Sequence, residues 1–245
     1  MNHASSTRRF TTTLLATFLV LGSTGCVDTG VEPVELPVLA AGVSAEPFEA
    51  RDRWVVTLER ADLAFGPLYL CTAANAGDLC ETAQAEMLDG VVLDLLDPEP
   101  HEVGRLVGLG GVVRSVMHDY GVTWELTGMA PESHVDDASM QGRSFVVEGV
   151  AERGEERVRF QGAIAVTPIR AGSLVVRRTL SAGEVTDLEG AQALTLSVDP
   201  RAWLGGVRFE ELGADGNIEE GSQAWRAIVA GMTAQSRPGI AWSRD

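Results

Sequence analysis

The sequence predicts a mainly antiparallel β-sandwich closed by a short C-terminal α-helix. Short apolar runs alternate with polar residues, most clearly where Val158, Phe160, Ile164 and Val166 interleave with Arg157, Arg159, Gln161 and Thr167. Turns bearing glycine and proline punctuate those runs, as in a layered β-fold. Helical spacing of apolar residues is concentrated near the end, where Trp225, Ile228, Val229 and Met232 fall at i, i+3, i+4 and i+7.

Along the chain, residues 1–25 read as a secretory signal. Arg8 and Arg9 supply its positive start, and residues 10–21 form an uncharged apolar run too short for a permanent span. Residues 26–50 carry Pro33, Pro37 and Pro47 with several glutamates and no sustained period, so they read as a tether. The domain is expected over 51–245. Its first strand has apolar groups on even positions from Trp54 to Leu58 and on odd ones at Ala61, Leu63 and Phe65. That phase change predicts a β-bulge. Gly66-Pro67 then bends the chain into Leu68-Tyr69-Leu70. Residues 144–151 are expected to pair with the strand from 156 onward across Glu152-Arg153-Gly154-Glu155. Leu194, Leu196 and Val198 mark another strand, with fainter signals at 174–179 and 121–126. Asp199-Pro200 opens a short helical turn through Trp203, and Ser222 is placed to cap the last helix.

The 245 residues contain 19 basic side chains, all arginine, against 35 acidic ones, for a net charge of -16. Without lysine there is no Walker A lysine, no pyridoxal Schiff base and no Ser-x-x-Lys centre. The acidic balance argues against nucleic acid as a partner. Removing residues 1–25 takes away two arginines and no acids, leaving 17 basic against 35 acidic groups, or -18. Gly108-Leu109-Gly110-Gly111 has Val113 where a dinucleotide fingerprint needs its third glycine, and reads as a turn or a close strand approach. Asp215-Gly216-Asn217 begins at calcium-loop spacing, but Glu220 stands where an EF-hand needs glycine.

The signal ends Leu21-Gly22-Ser23-Thr24-Gly25-Cys26, which resembles a bacterial lipobox with Ser23 in the usual leucine position. Cys26 would then carry lipid. Val27 rather than aspartate follows it, which under enteric sorting rules directs the protein to the outer membrane. The remaining cysteines, Cys71 and Cys80, fit a disulfide in an oxidising compartment, closing a small polar loop. A ring of roughly ten residues corresponds to about 2.7 kcal/mol in the loop-entropy model. A two-thiolate metal site lacks the second pair and the close spacing that zinc sites use.

Between 117 and 140 lie Met117, His118, Met129, His134 and Met140. Thioether and imidazole together suit copper, especially Cu(I). The expected ligands are His118 and His134 through nitrogen and Met129 through sulfur. The competing reading packs Met117 in the core and leaves both histidines in solvated turns.

The lipobox, the strand leading into Gly66-Pro67-Leu68-Tyr69-Leu70-Cys71, and Val198-Asp199-Pro200-Arg201-Ala202-Trp203 together resemble an uncharacterised group of bacterial β-rich lipoproteins. A fainter similarity points to the copper-binding partner lipoproteins of methanobactin systems. The resemblance implies a periplasmic binding or accessory role and carries over no metal ligand. The sequence therefore predicts a lipid-anchored, extracytoplasmic binding or accessory protein of the bacterial envelope, not an enzyme. Its partners would be the membrane through the lipid, and an envelope protein or small ligand such as copper. The alternatives are a structural or assembly lipoprotein without a small ligand, and a hydrolase whose site is not legible.

Overall fold

Alternation of apolar side chains sets the inner face of strand after strand. In β1 (Pro33–Ala41), Leu36, Val38 and Ala40 are buried while Glu35 stays in solvent. The computed structural model describes residues 31–73, 83–123, 132–133, 135–166 and 178–244, with the backbone alone at 123, 132, 178–184 and 235. Strand β1 corrects the tether reading of 26–50, because Pro33–Ala41 lies within that range and pairs with β7 and β14 of the large sheet. The prolines misled for a physical reason. The Glu32 carbonyl accepts from Gly110 N at 2.7 Å, and bonding directions alternate along a strand. Pro33 and Pro37 thus turn their nitrogens away from that neighbour, toward a flank that is paired only from Val38 onward.

Next come β2 (Phe48–Glu49) and β3 (Val55–Phe65). The predicted bulge is present: Leu58 faces Gly149 and Arg60 faces Glu148, leaving Glu59 as the extra residue. The cis Gly66–Pro67 bond leads into β4 (Leu68–Cys71), followed by β5 (Ala83–Met87) and β6 (Val91–Asp94). After these run β7 (His101–Leu109), β8 (Val112–His118), β9 (Val122–Thr123) and β10 (Glu132–Ser133). β11 (Phe145–Arg153) and β12 (Glu156–Ile164) form the expected hairpin, with Gly154 at φ 62° in its turn. β13 (Arg178–Asp187), β14 (Ala191–Ser197), β15 (Asn217–Ile218) and β16 (Gly239–Arg244) complete the strands. The helices are α1 (Arg201–Leu204) and α2 (Gln223–Ala230).

One large sheet has the order β13-β8-β4-β5-β7-β1-β14-β16. A smaller one runs β15-β12-β11-β3-β2, with β6 also pairing β3. The sheets are mixed: β1 with β14 and β12 with β15 are parallel, and the other described strand pairs are antiparallel. The large sheet curls toward a barrel, and Arg244 Nη2 of β16 donates to Thr186 Oγ1 of β13 at 3.1 Å. At Gly108 of β7 an added Cβ would sit 2.2 Å from the Gln84 carbonyl oxygen, so the glycine permits close approach to β5.

Between the layers lie Phe65, Phe145, Phe160 and Leu194, with Trp203 of α1 edge-on to Phe145 at a centroid distance of 5.2 Å. Ser222 caps α2 by accepting from Trp225 N at 3.1 Å, and Ile228 and Met232 are buried against the same core. The C-terminal stripe is core packing.

Candidate functional site

Alternation fails at the end of β8, and that failure marks the site. From Ser115 to Tyr120 every residue is buried, so both faces of the strand are covered there. His118 is fully buried. Its ring stacks on Phe65 at 4.9 Å and meets the edge of Tyr120 at the same centroid distance. Asp119 beside it is fully buried as well. Three oxygen- or nitrogen-bearing side chains in succession are thereby drawn into the protein, an arrangement that persists only where polar groups find partners.

The chain crossing at Gly66–Pro67 creates this cluster. Gly66 N donates to the Asp119 carbonyl, Asp119 N to the Pro67 carbonyl, and Gly121 N to the Gly66 carbonyl, each at 3.0 Å. Gly121 has φ 68°, and a Cβ there would lie 2.3 Å from Ala64 Cβ. The connection from β3 to β4 is therefore locked against the connection from β8 to β9. Tyr120 reaches the C-terminal region, its hydroxyl donating to the Met232 carbonyl at 2.7 Å.

Register ties the remaining predicted residues to this end. On β4, Leu68 faces His118, Tyr69 faces Met117 and Cys71 faces Ser115. Cys71 is buried at the last position of β4. β9 pairs with β10 through Val122 opposite Ser133 and Thr123 opposite Glu132, so the chain doubles back four residues after His118. Cys26, Cys80, Met129 and His134 lie outside the described residues. Met117 is buried on β8, and Met140 belongs to a small apolar cluster with Ala64, Val135 and Val146. His118 is thus not in a solvated turn: two strands flank it and aromatic rings cover it. Among the described residues no group of three or more His, Cys, Asp or Glu is arranged to hold a metal ion. The sequence did not single out Asp119 and Tyr120. Their only visible cue was the glycine that follows them.

The surface outside this cluster is open. A groove of about 490 Å³ runs along β12 between Arg159, Gln161 and Asp215, and one of about 400 Å³ adjoins it between Arg60, Glu148 and Asn217. Their charges are paired locally, Arg60 with Asp62 at 2.6 Å and Arg159 with Glu59. At a corner of the smaller sheet the Trp54 indole donates to Glu210 at 3.0 Å. The Glu210 carboxyl is held below its usual range first by its own backbone N–H, against the opposing effect of burial, and then by that indole. The Arg153 guanidinium lies 4.5 Å over the Trp54 ring.

No family model and no curated protein matches the chain. Among solved structures, MbnP from Methylosinus trichosporium is similar at 12% identity, over 81% of this chain and 87% of that one, with a TM-score of 0.40. This is a distant likeness of β-rich form.

Proposed function

We propose that this protein is a lipid-anchored accessory protein of the bacterial envelope, held outside the cytoplasm, which binds a partner rather than converting it. The observation that carries the reading is the sequence Gly25-Cys26 at the end of an apolar signal, with the sheet beginning only a few residues later at Pro33. A lipid on Cys26 would hold the sandwich against the bilayer instead of on a long stalk. Fractionation of cells expressing Cys26→Ser tests it. The variant is expected in the soluble periplasm while the wild type stays with membranes, and continued membrane partitioning of the variant overturns the anchor.

The finer part of the proposal is a copper ion bound through His118, Met129 and His134. Its support is the soft-ligand composition of 117–140, together with the β9–β10 pairing, which brings the flank of Ser133 beside Val122. Titration with Cu(I) against a competing chelator is expected to give binding tighter than micromolar in the wild type and its loss in His134→Ala and Met129→Leu. Equal binding by the three proteins removes the site. His118→Ala is the weaker test, because the ring is part of the core.

A further inference from the structure

The end of the large sheet nearest Cys26 in sequence is apolar where it meets water. Val31, Leu109, Val112 and Val185 are 38%, 50%, 39% and 57% exposed. They are four of the seven large hydrophobic side chains exposed among the described residues. The register gathers them at one rim. Pro33 faces Leu109, and Gly110 N donates to the Glu32 carbonyl, which sets Val31 beside the β7–β8 turn. Val112 faces Asp187, Thr186 faces Val113, and Leu188 N donates to the Gly111 carbonyl, which brings in Val185. An exposed aliphatic rim of this kind marks a contact surface.

The length of chain before the fold says what covers it. Only residues 27–30 separate Cys26 from Val31. At most ~3.6 Å per residue, five steps span no more than about 18 Å. We infer that the rim of Val31, Leu109, Val112 and Val185 rests in the headgroup layer of the bilayer that holds the lipid on Cys26. The inference rests on the anchor proposed above and adds the orientation of the domain. Glu32, Asp187 and Glu189 border the rim, and the mature chain is strongly acidic. The surface therefore suits uncharged phospholipid and is repelled by an anionic one.

The test uses the full mature chain purified from membranes and reconstituted in phosphatidylcholine vesicles that contain a small fraction of lipid with a photoactivatable group near the headgroup. Sedimentation with the vesicles reports the anchor, and mass spectrometry of the lipid adducts reports the orientation. Adducts are expected on the peptides spanning 107–113 and 185–189, with lower yield in phosphatidylglycerol vesicles. Leu109→Glu is expected to lower the 107–113 yield by about five-fold, the scale of losing one half-exposed leucine from the contact, while the chain still sediments. A sedimenting chain whose adducts are confined to 26–30, or fall on the β11–β12 hairpin, overturns the rim contact alone. A chain that stays in the supernatant refutes the anchor and the orientation with it.

Discussion

The two ends of β8 are opposites. At His118 the strand draws an imidazole, a carboxylate and a phenol out of water beneath a crossing of two connections. At Val112, six residues earlier, an aliphatic side chain stands in water beside Leu109 and Val185. One end invests polar groups in a locked junction, and the other leaves apolar groups unspent on the surface. Burial at the first end is coupled to backbone geometry, so changes there should be felt as stability. At the second end the aliphatic side chains on the outer face are not enclosed, so changes to them should be felt only in what the surface touches.

The largest effect is expected from Gly121→Ala. It places a Cβ against Ala64 at a left-handed φ, and chemical denaturation should show a loss of about 2–4 kcal/mol. A near-neutral result would mean that the crossing yields, and the contrast between the ends would weaken. Next is the proposed Cys71–Cys80 bridge, which leaves β4 between the two ends. Alkylation of folded protein without reductant should label neither thiol, and Cys80→Ser should lower stability by about 2.7 kcal/mol. Two labelled thiols would refute the bridge.

Tyr120→Phe is expected to cost about 1–2 kcal/mol, because it removes the donor to the buried Met232 carbonyl while keeping the ring. Leu109→Ser should change unfolding stability by less than about 0.5 kcal/mol, since the side chain is half exposed. A stability loss comparable with that of Tyr120→Phe would show that the rim is part of the core after all, and the division between the two ends of β8 would fall.

What could be read from the sequence followed short-range physics. The bulge at Glu59 was visible because one inserted residue inverts the apolar phase, and the Gly154 turn because its two strands are adjacent in the chain. Ser222 announced its helix because capping is decided within three residues. β1 was hidden by Pro33 and Pro37, whose tolerance depends on a strand more than 150 residues away. The buried cluster was hidden for a related reason. Once both faces of β8 are covered, period-two alternation disappears, and a histidine among apolar residues looks the same in a core as in a turn. The meeting of Gly66 with Tyr120 is marked locally only by the glycines, which signal bends but not that the two bends meet.

The position of β1 also bears on the order in which the structure is assembled. It precedes the other described strands in the chain, and its ladder with β7 needs residues 101–109 while its ladder with β14 needs 191–197. Until both arrive, a segment with the apolar face Leu36, Val38 and Ala40 has open hydrogen-bonding edges, the condition in which chains pair with the wrong neighbour. Closure over such sequence separations is slow compared with hairpin formation. The β11–β12 hairpin can therefore form while β1 of the large sheet still waits to be enclosed. A chain cut before residue 191 would keep that hairpin and lose the partner that completes β1, making the late arrival of β14 the step that commits the molecule to its native topology.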